Sequence, residues 1–206
     1  MKLTVTTFLS LDGVMQSPGG PREDPSGGFD LGGWLVPFAD EDMGRMVTTW
    51  FETADAFLLG RGTYEIFAAH WPRVTDENDP VASRLNRLPK YVATRTLDTA
   101  DWAGTTLLKG DVVEAVRELK SRPGRDLQVH GSAGLLQTLI AADLVDEYRL
   151  FVYPVILGRG KRLFEAGLAP ATVRHVDTKT TGTGVTVHTY QWGGKPEFGS
   201  FMFEDE

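Results

Sequence analysis

The stretch Val129-His130-Gly131-Ser132-Ala133-Gly134-Leu135 decides how this chain reads. A short apolar strand over 127–130 ends in two glycines that bracket Ser132 and Ala133. Leu135, Leu136, Leu139, Ile140 and Leu144 then follow at helical spacing. The pattern predicts a strand, a tight turn and a helix with an open N-terminus. Glycines there let a ligand approach the backbone, and unpaired N–H groups plus the helix dipole favour an anion by about 0.3–1 kcal/mol. A phosphate fits; a plain tight turn before a packed helix is the other reading. The phosphate reading gains from a second turn of the same kind, Leu59-Gly60-Arg61-Gly62-Thr63, because an arginine so placed can clamp a phosphate bidentately.

The 206 residues suit one large domain, and no repeat or linker divides them. A net charge of −7 argues against nucleic acid or an anionic membrane as partner, so any bound phosphate must be held by local groups. There is no cysteine, which removes disulfide and thiolate chemistry. The longest apolar run, 150–157, is far short of the roughly 20 residues that a membrane helix needs. Asp12 and alternating threonines interrupt any leader-like core near the N-terminus. The expectation is a soluble, cytoplasmic protein.

Residues 2–10 alternate as a strand with at least one buried face. A segment rich in glycine and proline follows to Phe38; Trp34 and Leu35 would pin it to the body, as a lid over a pocket or as a surface loop. Asp40 is a good N-cap for a helix with Met43, Met46, Val47, Trp50 and Phe51 on one face, a stripe that reads as core. A strand over 55–59 leads into the Gly60 turn and a second helix. Asp79-Pro80 starts a short helix, strands are expected over 91–94 and 105–108, and Asp111 caps another helix. A long strand is expected over 147–157, at a sheet edge or bulged because Pro154 cannot donate a ladder hydrogen bond. Stretches 172–178 and 185–192 read as a terminal hairpin. Residues 193–206, with Phe198, Phe201 and Phe203, read as an arm that packs on the body or on a second subunit.

The expected fold is therefore α/β: a mixed, mostly parallel sheet with helices on both faces and a C-terminal β-hairpin. Gly60-Arg61, Thr94-Arg95 and Gly131–Gly134 fall at the C-terminal ends of parallel strands, where open α/β sheets bind ligands. Three such turns on one edge suit a dinucleotide.

Leu58 to Glu65 resembles the Gly-Arg-x-Thr-aromatic-Glu motif of dihydrofolate reductases. Ser10-Leu11-Asp12-Gly13, Leu144-Val145-Asp146-Glu147 and Pro154 to Gly160 are similar to the reductase domain of the bifunctional riboflavin-biosynthesis deaminase/reductase. The resemblance covers residues 2–192 and implies a dihydrofolate-reductase-like three-layer fold over 1–192, NADPH as hydride donor, and a homodimer. It places Gly60, Arg61, Gly62 and Thr63 around the cofactor phosphates, Thr94 and Arg95 at the adenosine 2′-phosphate, and Gly131, Ser132, Ala133, Gly134 and Leu135 at the pyrophosphate and nicotinamide side. Asp12, beneath the lid, would lie near the substrate with Trp34. Two positions depart from the pattern. His130 stands where riboflavin-pathway reductases carry an acidic residue. The helix carboxylate of dihydrofolate reductases would fall near Gly44, with Asp40 and Asp42 a turn earlier. The zinc pattern of the deaminase half is absent, so a riboflavin-pathway role would be the reduction step alone.

The implied reaction is hydride transfer to a C=N or C=O bond of a small molecule, such as a pteridine or 5-amino-6-(5-phosphoribosylamino)uracil, with a positioned acid or a water supplying a proton. A carboxyl under a closed lid would have a raised pKa, which makes Asp12 and Asp42 the candidate acids. Alternatively, Asp12 caps the turn at Gly13 and Asp42 serves the helix dipole. Two other readings stay open: a domain that binds a nucleotide without turnover, and a structural dimer assembled through the aromatic tail. His175 and His188 lack a spaced carboxylate, so no metal site is expected.

Overall fold

The computed structural model describes residues 1–201; Phe203 and the rest of the predicted arm beyond 201 lie outside the described residues. Eight strands form one sheet in the order β4-β3-β2-β5-β1-β6-β8-β7. They are β1 (Lys2–Ser10), β2 (Ala54–Gly60), β3 (Lys90–Ala93), β4 (Thr105–Leu108), β5 (Asp126–His130), β6 (Glu147–Tyr153), β7 (Thr172–Thr180) and β8 (Thr186–Gly194). The first six in spatial order are parallel, and the β7–β8 hairpin adds antiparallel to β6. The helices are α1 (Glu41–Glu52), α2 (Arg61–His70), α3 (Pro80–Arg87), α4 (Val112–Ser121) and α5 (Ala133–Ala141). This is the dihydrofolate-reductase-like three-layer fold.

Alternation along the central strands assigns the faces. Leu3 and Val5 of β1 join Leu127 and Val129 of β5 under α4 and α5, where Val116, Leu119, Leu136 and Leu139 complete one core. On the other face Phe57, Leu59 and Val92 pack with Phe51 of α1, Tyr64 of α2 and Leu85 of α3. The Met43, Met46 and Trp50 stripe packs there on Phe151, Tyr153 and Val187. The glycine-proline segment is ordered by the same aromatic cluster. Trp34 is buried, donates from Nε1 to the Gln16 carbonyl at 2.9 Å and meets Tyr153 edge-on at 5.4 Å.

Two expectations change. β6 stops at Tyr153, so Pro154 lies just beyond the strand rather than in a bulge, and β6 is interior, between β1 and β8. The hairpin runs to Gly194, two residues into the segment expected as an arm.

The strand positions that share the α1 face also carry charge. Arg149 Nη2 reaches Asp126 Oδ2 at 2.8 Å and its Nε reaches Glu147 Oε1 at 2.9 Å, with all three side chains buried. Lys2 Nζ bonds the second Glu147 oxygen at 3.0 Å, and Thr53 Oγ1 donates to Asp126 at 2.6 Å. Burial would raise the Glu147 pKa, but the hydrogen bonds from Lys2 and Gln191 and the Arg149 charge hold it below its ordinary value. Removing one partner from such a cluster leaves uncompensated buried charge, at about 3–5 kcal/mol. Arg149→Met should therefore lose about 3–5 kcal/mol in urea unfolding at neutral pH. The wild-type advantage should shrink as acid takes Glu147 from the ordinary 4.5 down through its depressed folded value, because the charge that Arg149 neutralises is then lost.

Candidate active site

Parallel pairing of β2 with β5, in the register Phe57↔Gln128 and Leu58↔Val129, sets the helices that follow them side by side on one sheet edge. The two turns are tied together. Gly60 N–H donates to Ser132 Oγ at 3.0 Å, Ser132 N–H donates to Thr63 Oγ1 at 3.0 Å, and Ser132 Oγ donates to the His130 carbonyl at 3.0 Å. Gly131 at φ +56° and Ser132 at φ +63° are both left-handed, a conformation that costs a serine and is held here by these bonds.

The helix starts divide into two kinds. Asp40, Asp79 and Asp111 cap α1, α3 and α4 by accepting backbone N–H bonds. α2 and α5 begin at Gly60 and Ser132 with no side-chain cap. Their free N–H groups open into a cleft of about 970 Å³, within the range of small-molecule and cofactor sites. A Cβ at Gly62 or Gly134 would meet nothing within 4 Å, so both backbones are open to approach.

All eleven residues expected around a cofactor line this cleft: Gly60, Arg61, Gly62, Thr63, Thr94, Arg95 and the run Gly131, Ser132, Ala133, Gly134 and Leu135. Their states differ. The hydroxyls of Thr63 and Ser132 join the two turns. Thr94 Oγ1 accepts from Thr96 N–H and Leu97 N–H, shaping the turn that presents Arg95. Arg61 lies 3.5 Å from Glu65, and Arg95 is exposed with no carboxylate partner among the described residues. The floor is formed by Thr6, Thr7, Phe8 and His130, and the far wall by Met15–Pro18 and Glu23–Ser26 of the glycine-proline segment.

The residues expected at the substrate sit elsewhere. Asp12 does not line the cleft. Its carboxylate accepts from Ser10 Oγ at 2.7 Å, Leu157 N–H at 3.0 Å and Gly158 N–H at 2.9 Å, and pairs with Arg162 at 3.2 Å. Burial would raise its pKa, but these hydrogen bonds outweigh it and hold the group well below the usual carboxylate range, the opposite of a poised acid. Asp12 is a latch between β1 and the turn after β6. The same turn is stitched to the glycine-proline segment by Lys161–Asp24 and Arg159–Asp30. Asp42 lies outside the cleft on α1, paired with Arg45 and accepting from Gly182 N–H at 3.3 Å. Trp34 is an anchor within the aromatic core and does not reach the cleft lining.

Two lining residues escaped the sequence reading. Glu23 sits in the far wall, where burial raises its pKa and the neighbouring Asp24 adds to the rise, against opposing N–H bonds from Gly19 and Gly20. It is a partly desolvated carboxyl in a segment whose path no periodicity predicts. Thr6 is buried on the floor, and its Oγ1 has no partner among the described residues. No group of three or more His, Cys, Asp or Glu among the described residues could hold a metal, and no described helix is long and apolar enough to cross a membrane.

Comparison with known proteins bears on the fold and the family. The chain is 30% identical over 197 residues to YyaP of Bacillus subtilis (strain 168), covering 94% of this chain and 96% of that one. A putative riboflavin biosynthesis protein from Shewanella sp. PV-4 superposes with a TM-score of 0.71 at 21% identity, covering 94% of this chain and 99% of that one. Dihydrofolate reductase from Enterococcus faecalis, solved with NADP(H), superposes with a TM-score of 0.60 at 14% identity, covering 93% and 96%. The family model described as the RibD C-terminal domain matches residues 1–187. With that match across nearly the whole chain, the protein belongs to the RibD C-terminal domain family.

Proposed function

We propose that this protein is an NADPH-dependent reductase acting on a C=N or C=O bond of a small substrate, of the class of pteridines or 5-amino-6-(5-phosphoribosylamino)uracil. One observation carries the reading: α2 and α5, which start without a side-chain cap, open side by side into one cleft beside Arg95, an arginine with no carboxylate partner among the described residues. That arrangement fits a pyrophosphate with a further phosphate at one end, in a protein whose net charge of −7 would otherwise repel it. Membership of the RibD C-terminal domain family supports the same reading.

When bound, NADPH supplies a hydride. The chain's own residues do the rest. The Gly60–Thr63 and Gly131–Leu135 turns hold the phosphates, Thr94 and Arg95 hold the 2′-phosphate, and the Thr6–Phe8 floor with His130 receives the substrate. Glu23, desolvated in the wall, is the group suited to deliver the proton. A non-catalytic nucleotide binder is the second reading, favoured by the position of Asp12 and Asp42 outside the cleft; turnover dependent on Glu23 would decide between the two.

The first test is titration of NADPH and NADH by quenching of tryptophan fluorescence. We expect NADPH-selective binding, with Arg95→Ala weakening NADPH about 10–100-fold and NADH little. Equal losses for both would remove the 2′-phosphate assignment. Gly134→Asp should move stability and binding in opposite directions. An acidic residue in the first turn of α5 stabilises the helix by about 0.3–1 kcal/mol, yet sets a negative charge where phosphate binds. Melting temperature and NADPH affinity, measured on the same sample, check this. Asp12→Asn should cost about 1–2 kcal/mol of stability and leave NADPH binding intact. The wild-type contribution of Asp12 is full above the ordinary 3.8 and vanishes only as pH falls through its depressed folded value. Glu23→Gln should instead preserve stability and lower turnover about 100-fold or more.

A further inference from the structure

The connection from β3 to β4, residues 94–104, carries Arg95, and only Thr94 and Trp102 within it are buried. Arg95 is exposed with no carboxylate partner among the described residues, so the path of its backbone decides where the guanidinium can stand. Thr94 Oγ1 fixes the start of that path by accepting from Thr96 N–H and Leu97 N–H. Among the described residues, no backbone N–H from Asp98 to Asp101 has a protein partner, and the next bonded amide is that of Trp102.

Trp102 is gripped by three elements. Its N–H donates to the Tyr64 hydroxyl on α2 at 3.4 Å, and the two rings lie 6.2 Å apart. Its Nε1 donates to Asn86 Oδ1 on α3 at 3.0 Å, and Asn86 is fixed in turn by donating to the Trp71 carbonyl at 3.0 Å. Lys90 Nζ, at the start of β3, stands 4.6 Å from the centroid of the indole ring. That lysine is fully buried and has no carboxylate partner among the described residues; its ammonium donates to the Leu85 and Leu88 carbonyls at 2.7 and 2.8 Å. Burial pushes its pKa down to about 8, which leaves the ammonium the main form at neutral pH. A desolvated cation is held by an indole face more strongly than an exposed one. Tyr64 directly follows Thr63, so Trp102 ties the Arg95 connection to the first turn of α2. Tyr64, Asn86, Lys90 and Trp102 all lie outside the cleft lining.

We propose that Trp102, gripped by Tyr64, Asn86 and Lys90, is a positioning residue that sets the span between the Gly60–Thr63 turn and Arg95, and with it the preference for a dinucleotide carrying a 2′-phosphate. Such a ligand presents its pyrophosphate and its 2′-phosphate at a restricted separation, and it gains from both sites only when the protein holds that span in advance. A dinucleotide without the 2′-phosphate makes no demand on Arg95. The assignment rests on the NADPH reading and adds to it the residues, remote from the cofactor, that set the selectivity.

Calorimetric titration of NADPH and NADH into the full chain tests it, with Tyr64→Phe, which removes one acceptor, and Lys90→Met, which removes the buried cation at similar volume. Each should lower the preference for NADPH over NADH about 5–20-fold and leave NADH affinity unchanged. Nitrogen-15 NMR of the unliganded protein gives a second readout. The amides of Thr96 and Leu97, which bond to Thr94 Oγ1, should shift in both variants although neither substitution touches them. Where the wild type prefers NADPH, an undiminished preference in Tyr64→Phe, equal losses for both nucleotides, or unmoved Thr96 and Leu97 amides would overturn the role of Trp102 and leave the cofactor reading standing. Binding of neither nucleotide by the wild type would overturn the cofactor reading and the selectivity role together.

Discussion

The parallel ladder between β2 and β5 is the constraint on which the site depends. Each strand is followed at once by a helix, so the register that aligns Leu58 with Val129 also aligns the starts of α2 and α5. Ser132 then bonds across to Gly60 and Thr63, and the two turns become one surface. Neither helix could carry an aspartate cap, as the other three do, without setting a negative charge at the mouth of the cleft. The unsatisfied N–H groups are thus a local cost retained where an anion can meet it.

The opposite wall is built on different physics. Residues 13–38 have few apolar positions of their own, and they hold their path through Trp34 and Phe29 in the aromatic cluster and through ion pairs to the turn after β6. Gly160 sits at the tightest point of that contact: at φ +123° a Cβ would lie 2.6 Å from Val14 and 2.9 Å from Phe29. Asp12 belongs to this stitching, and its ionised state serves packing. The carboxyl that burial perturbs in the direction of an acid, Glu23, rides on the wall itself.

Beneath both walls a polar seam crosses the α1 face of the sheet, from Lys2, Glu147 and Arg149 through Asp126, Thr53 and Gln128 to His130. Its deep end is closed by mutual neutralisation. Its cleft end is not, since the Gln128 amide orients His130 and leaves one ring nitrogen without a partner among the described residues. Thr4, register partner of both Gln128 and Glu147 within the seam, is also buried with its Oγ1 unpartnered among the described residues, so an unpaired hydroxyl on β1 does not by itself mark the cleft.

The local code for helices and strands was plain in the residues. The caps at Asp40, Asp79 and Asp111, the alternation of β1 and the paired glycine turns after β2 and β5 follow from side-chain chemistry over a few positions, and together they specify a mostly parallel α/β sheet. They also marked the eleven residues that one cleft now gathers. What no local pattern could express is which distant groups meet. Asp12 reads equally as a poised acid or a structural acceptor, and only the approach of Leu157, Gly158 and Arg162 from 145 or more residues away makes it the latter. Glu23 acquires its raised pKa from the folding of an aperiodic segment, and His130 acquires its tautomer from Gln128, whose own orientation is set by Trp50 and Thr53 on α1 and at its end. Sequence determines the elements because their energetics are local; the state of a titratable group depends on desolvation and partners, which exist only once the chain has closed on itself.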